Sequence, residues 1–244
     1  METVQFGQIQ EQSYAMKESL RALRTNIQFC GDDIKTILFT SAQPNEGKST
    51  VVFNLARSLT ELGKSVLVID TDMRKSVFIG RLRAKIEGKK EIKGLSHYLS
   101  GQVSADNVIY ATNIPKLYMI FAGRSVPNPT EMLDKKYFEK LMDVARNTFD
   151  YVLIDTAPIG AAIDAAVVGK HCDGAVIVVG QGEANTRAIT GVKKQLEVAG
   201  VSILGAVLNK VETKKSHYGN YYGNYYGGYY GHYYGNYGNE EKDK

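Results

Sequence analysis

Cysteine is scarce in this chain of 244 residues: the two present, Cys30 and Cys172, stand far apart and form no Cys-x-x-Cys pair. That spacing speaks against a zinc knuckle and leaves two reduced thiols of a cytosolic protein as the reading. Long apolar runs are missing too. No stretch approaches the about 18 apolar residues that cross a bilayer, and the N-terminal METVQFGQIQEQ does not have the pattern of a secretory leader. The expectation is a chain made and kept in the cytoplasm, with any membrane location borrowed from a partner. Strong charge of one sign is also absent. A net charge of +4 gives no argument for nucleic acid and leaves an acidic membrane surface or an acidic protein partner open. The length and the 43% hydrophobic content fit one α/β domain plus appendages, enough to bury a core.

Residues 1–12 read as a loose arm. The stretch SYAMKESLRALRTNIQF (13–29) reads as a helix, because Met16, Leu20, Leu23 and Ile27 fall on one stripe at 100° per residue. Glu18, Arg21 and Arg24 lie on an adjacent arc. From residue 36 a βα rhythm begins, with strands expected at 36–41, 65–70, 117–121, 151–155, 174–179 and 202–208. Helices are expected near 48–62, 131–147, 160–170 and 184–199. The strands are almost continuously hydrophobic, as strands covered on both faces are. The sequence therefore predicts an α/β fold with a mostly parallel sheet covered by helices on both faces. From Lys214 tyrosine, glycine, asparagine and histidine take over and aliphatic residues vanish. Glycine at nearly every third place opposes helix and strand alike. The division expected is a domain over 1–213 and a flexible tail over 214–244, disordered until something grips it.

The segment SAQPNEGKST follows the first long strand and precedes a helix. It matches a relaxed Walker A loop: Ala42 where the strict pattern has glycine, then Gln43, Pro44, Asn45 and Glu46, then Gly47-Lys48-Ser49. Backbone N–H groups of such a loop, backed by a helix N-terminus, cradle phosphate oxygens. Lys48 reaches the β- and γ-phosphates of ATP, and the Ser49 hydroxyl is a magnesium ligand. VLVIDTDMRK ends a strand with Asp70 and Asp72. Residues i and i+2 of a strand share a face, so both carboxylates are expected to aim at one point beyond its C-terminal edge. YVLIDTAP delivers Asp155 in the same way, as a Walker B acid. A few carboxylates with water and phosphate oxygens suit Mg2+.

Together these motifs resemble the bacterial tyrosine kinases of capsule and exopolysaccharide operons, in the form whose transmembrane activator is a separate chain. The P-loop, VLVIDTDMR, AGRSVPNPTEML (122–133), VLIDTAP and the terminal tyrosine cluster occur in that order, and Glu18, Arg21 and Arg24 fit a Glu-x-x-Arg-x-x-Arg helix motif. The resemblance implies a P-loop NTPase fold close to the MinD/ParA group. That group carries an early Lys-Gly-Gly where this chain has Ala42, Gln43 and Pro44, which favours the kinase branch. By resemblance, Asp70 takes the proton of an incoming tyrosine, and Asp72 and Asp155 hold magnesium. Thr50 lies near the α-phosphate, and Asn209 is either at the adenine edge or a simple turn residue. Asp164 is read as a helix cap or a supporting group.

The tyrosines of the tail are Tyr218, Tyr221, Tyr222, Tyr225, Tyr226, Tyr229, Tyr230, Tyr233, Tyr234 and Tyr237. On a glycine leash they form a substrate held near an active site at about millimolar effective concentration. The resemblance implies autophosphorylation in trans within a homo-oligomeric ring, with Glu18, Arg21 and Arg24 at subunit contacts. It also implies a transmembrane adaptor that completes the nucleotide site, a cognate tyrosine phosphatase, other protein substrates, and a position at the inner face of the membrane. The basic cluster Arg81, Arg83, Lys85, Lys89 and Lys90 is equally a solvated loop or a contact for acidic lipid or the adaptor. Two other readings compete: a MinD/ParA-like switch ATPase that makes no phosphotyrosine, and a scaffold whose Tyr/Gly tail is a cohesive sticker.

Overall fold

The computed structural model describes residues 1–88 and 91–212. In chain order its elements are β1 (Thr3–Phe6), α1 (Tyr14–Phe29), β2 (Thr36–Ser41), α2 (Lys48–Thr60), β3 (Val66–Asp70), α3 (Phe78–Leu82), β4 (Ala84–Lys85) and α4 (Leu95–Leu99). After a short 3-10 turn (Ala105–Asn107) come β5 (Tyr110–Thr112), β6 (Leu117–Ile120), α5 (Pro129–Leu133) and α6 (Lys136–Thr148). The chain continues through β7 (Tyr151–Asp155), α7 (Asp164–Gly169), β8 (Gly174–Gly180), α8 (Thr186–Val198) and β9 (Ile203–Asn209). The expected tail tyrosines, and Lys89 and Lys90 of the basic cluster, lie outside the described residues. Among the described residues no helix is long and apolar enough to cross a membrane.

The strands form one sheet in the order β4-β1-β5-β6-β3-β7-β2-β8-β9. Its centre, from β6 through β9, is parallel throughout; β1–β4 and β5–β6 are antiparallel. Period-two alternation splits the central strands between two cores. Leu38, Leu67, Ile69, Val152, Ile154 and Ile177 pack with Phe138, Leu141 and Leu196 on one side. Ile37, Phe39, Val66, Val68, Leu153 and Val176 pack with Leu55, Leu59, Leu20 and Ile27 on the other. Burial on both faces is the physical reason these strands read as unbroken hydrophobic runs.

Three expectations are corrected. The loose arm contains β1, whose Val4 and Phe6 are buried, with the Phe6 ring 5.7 Å from that of Phe53. A four-residue alternation is too short to stand out from its polar flanks. The helix expected over 131–147 is two, α5 and α6. On one continuous helix Met132 and Leu133 would point away from the stripe of Phe138, Leu141, Met142 and Ala145; an extended Lys135 between the helices lets all six be buried. On α1, Ser13 caps the N-terminus by accepting from the Met16 N–H at 3.2 Å, and Leu20 and Ile27 are buried, but Met16 at the head of the stripe stays exposed.

Candidate active site

The loop between β2 and α2 is set by its backbone. Asn45 and Gly47 adopt positive φ of 69° and 86°, the left-handed region that favours asparagine and glycine. A Cβ at position 47 would also collide with the Asn209 amide nitrogen. Glu46 is buried and works as an internal strut. Its carboxylate accepts from the Gln43 N–H at 2.7 Å and from the Gly180 N–H, at the end of β8, at 3.2 Å. Asn209, the last residue of β9, donates from Nδ2 to the Glu46 carbonyl at 2.9 Å. The P-loop is thus fastened to the ends of two strands. Ala42 is buried beneath it, and Gln43, Pro44 and Asn45 form its exposed rim.

Lys48 and Ser49 open α2 and turn to β7. Lys48 Nζ meets Asp155 Oδ1 at 2.5 Å, and Ser49 Oγ donates to Asp155 Oδ2 at 2.6 Å, with Lys48 and Asp155 both buried. Asp70 lies directly opposite Asp155 in the β3–β7 register. Burial, then the neighbouring Asp155 carboxylate, raises the Asp70 carboxyl to about 8, against a Ser76 hydroxyl that donates to Asp70 Oδ2 at 2.5 Å. Burial pushes the Asp155 carboxyl up as well, and its contacts with Lys48 and Ser49 oppose that rise.

Asp72 does not share the strand face of Asp70, because β3 ends at Asp70. It occupies the turn beyond. Its N–H donates to Asp70 Oδ1 at 3.1 Å, and its Oδ1 accepts from the N–H groups of Arg74 and Lys75 at 3.2 and 2.9 Å. The shared-face argument holds only within a strand; here a turn sets the second carboxylate. The Ser49 hydroxyl and the Asp155 and Asp72 carboxylates are hard oxygen donors of the kind Mg2+ takes beside phosphate and water. Among the described residues no three acidic, histidine or cysteine groups close into a complete cage.

The remaining expected residues are placed as follows. Thr50 Oγ1, one residue beyond Ser49, accepts from Arg81 Nη1 at 3.0 Å, which brings one member of the basic cluster to the site. Asp164 begins α7, buried and held by Arg74 and Thr130. Glu18 and Arg21 are exposed and paired at 2.6 Å. Arg24 is not free on the surface: its Nη1 donates to the Ser58 carbonyl and hydroxyl of α2 at 2.7 and 3.2 Å. Sequence reasoning missed Ser76, and it named Arg81 only within the basic cluster and Glu46 only as a loop residue, without the bond to Thr50 or the strut. Only their closeness to the motifs could have flagged them, since no spacing rule links them to a partner.

A strand–loop–helix phosphate cradle with acids at the ends of two adjacent parallel strands defines the class: a P-loop nucleotide-binding protein. The family model described as an AAA domain matches residues 34–208. The tyrosine-protein kinase CpsD of Streptococcus agalactiae is 42% identical over 209 residues, covering 86% of this chain and 90% of that protein. The kinase domain of the Escherichia coli tyrosine kinase ETK superposes with a TM-score of 0.77 at 29% identity, covering 86% of this chain and 85% of that one. The septum site-determining protein MinD of Pyrococcus horikoshii, solved with Mg-ADP, has a TM-score of 0.59 at 23% identity over 75% of this chain and 72% of its own, and shares the fold. This chain belongs to the family of bacterial tyrosine-protein kinases.

Proposed function

We propose that this chain is an ATP-dependent protein-tyrosine kinase that phosphorylates the tyrosines of its own C-terminal cluster, Tyr218 to Tyr237, in trans, and through this regulates the synthesis or export of a capsular or extracellular polysaccharide. The observation that carries the reading is the buried constellation of Lys48, Ser49 and Asp155 with Asp70 beside it, in a chain of this family.

Phosphoryl transfer asks the protein for positioning and charge compensation rather than covalent chemistry. The P-loop amides and Lys48 hold and neutralise the β- and γ-phosphates. Mg2+, when bound with the nucleotide beside Ser49, Asp72 and Asp155, withdraws charge from those oxygens. The tyrosine oxygen attacks the γ-phosphorus in line, the bond to the β–γ bridging oxygen breaks, and ADP leaves with the electron pair. Asp70 accepts the phenol proton, which is otherwise held at a pKa of about 10. Asn209 lines the adenine side from its anchor on the P-loop. The ring contacts fall to Glu18 and Arg21, while Arg24, expected beside them, is held by Ser58 of α2. A transmembrane adaptor brings the chain to the inner face of the membrane, and a phosphatase resets the tail.

The test is incubation with Mg2+ and γ-labelled ATP, with and without an adaptor-derived cytoplasmic peptide, and mapping of the label by mass spectrometry. Label on Tyr218–Tyr237 that disappears in Lys48→Met is expected. Released phosphate with no labelled tyrosine under either condition would refute the kinase and leave a switch ATPase.

A further inference from the structure

Three side chains outside the phosphate cradle form a closed network beside it. Arg74 approaches Asp164 as a fork, Nε to Oδ2 at 2.8 Å and Nη2 to Oδ1 at 3.2 Å. Thr130 donates its hydroxyl to the same Asp164 Oδ1, and Arg74 Nη2 reaches Thr130 Oγ1 at 3.4 Å. Asp164 is 1% exposed and its carboxylate oxygens are taken up by these two partners, whereas the Arg74 side chain is 44% exposed. A buried carboxylate held in two directions is a fixed point in the structure.

The placement of the three residues gives the network a purpose. Arg74 lies in the segment after β3, Asp164 in the segment after β7, and Thr130 on α5 after β6. These three strands are neighbours in the sheet, in the order β6-β3-β7, so the network ties together adjacent loops at the C-terminal edge where a ligand sits. The Arg74 backbone N–H is also one of two that bind Asp72 Oδ1. Holding the Arg74 side chain across to α7 therefore holds the turn that orients Asp72. The 122–133 motif enters the network through Thr130.

We propose that Arg74, Asp164 and Thr130 are positioning residues that hold the Asp72 turn in the geometry needed to bind magnesium together with nucleotide. The proposal rests on the nucleotide site described above and deepens it. An arginine is required because only a planar fork spans both carboxylate oxygens while also reaching a hydroxyl; a lysine is a point charge.

The test is calorimetric titration of the full chain with ADP, once in Mg2+ and once in EDTA. The variants are Thr130→Val, Thr130→Ser and Asp164→Asn, each checked for its thermal midpoint. Thr130→Ser keeps the hydroxyl and is expected to bind like the parent protein. Thr130→Val and Asp164→Asn are expected to lose about tenfold or more in ADP affinity in Mg2+, the size of loss typical when a metal ligand loses its support, with affinity in EDTA unchanged. An equal loss in both media would make the network merely structural and overturn the proposal; so would no loss in either. If Asp164→Asn does not fold, the Thr130 pair decides alone. No tyrosine takes part, so failure of the kinase reading would leave this result readable.

Discussion

Lys48 carries two burdens at once. It is the cation expected at the terminal phosphates and is also paired with the buried Asp155. Lys48→Met is therefore expected to abolish tyrosine labelling and also to lower stability, because removing one member of a buried pair strands the other at a cost of about 3–5 kcal/mol. Burial already raises the Asp155 carboxyl, so part of that cost is relieved by protonation. Labelling and thermal melts on the same variant separate the two effects. Gly47 is constrained differently. Its φ of 86° and its approach to Asn209 leave no room for a methyl group. Gly47→Ala is expected to weaken nucleotide binding by well over about tenfold, since left-handed strain of roughly 1–2 kcal/mol adds to a collision that pushes Asn209 off the loop. Equilibrium nucleotide titration checks this; affinity within twofold of the parent would mean that the loop yields.

At the scale of elements, the end of the sheet opposite the P-loop is pinned by two carboxylates. Asp150 accepts from the Ser65 N–H at 2.7 Å and the Ser65 hydroxyl at 2.8 Å, and these bonds hold it below the usual carboxylate range. Asp173 is pushed up by burial, but the N–H groups of Thr36 and Lys35, the Thr36 hydroxyl and Arg146 outweigh that and leave it lowered. A carboxyl lowered by folding stabilises fully above its unfolded value of about 3.9 and loses that contribution as pH falls through its folded value. Asp70 acts in the opposite sense. Raised to about 8, it favours the folded state more as pH falls from about 8 to about 4. Below about pH 4 the acid loss falls to the lowered carboxyls, Asp150 and Asp173 together with Glu91, which Arg124 holds below its usual range. Denaturant melts against pH should show a steep acid loss in the parent and a shallower one in Asp150→Asn/Asp173→Asn; parallel curves would refute the assignment.

At the scale of the whole molecule, the three residues of the α1 motif separate into two kinds. Glu18 and Arg21 form an exposed pair, worth only about 0.2–0.5 kcal/mol to the helix, and are available to a second copy. Arg24 ties α1 to α2 through Ser58. Arg21→Ala is expected to reduce oligomer mass in light scattering with an unchanged melting point, whereas Arg24→Ala lowers the melting point. If both leave oligomer mass intact, this helix does not carry the ring contact. Phosphates on the tail each add about −1.5 to −2 charge, so extensive phosphorylation is expected to drive disassembly. The same mass for phosphorylated and unphosphorylated protein would overturn that timer.

What the sequence determined by itself was everything carried by local pattern. The central strands β2, β3, β7 and β8 are continuous apolar runs because both faces are covered, whereas β9, at the sheet edge, is an apolar run that leaves Leu208 exposed. Gly47, Lys48 and Ser49 stand at fixed spacing because one strand–loop–helix unit builds the cradle, and Asp70 and Asp155 end strands that register side by side. Tertiary structure alone decided the rest. The strand in the N-terminal arm exists only because β5 and β4 flank it. The break between α5 and α6 follows from two buried faces that one helix cannot serve. Asp72 is aimed by a turn rather than by strand alternation, and Arg24 is captured by Ser58 from 34 residues away. Ser76, Glu46, Arg74, Thr130 and Asp164 acquire their roles from partners brought together by neighbouring loops. Their bonds depend on where separate segments meet in space, and no periodicity in one segment encodes the position of another.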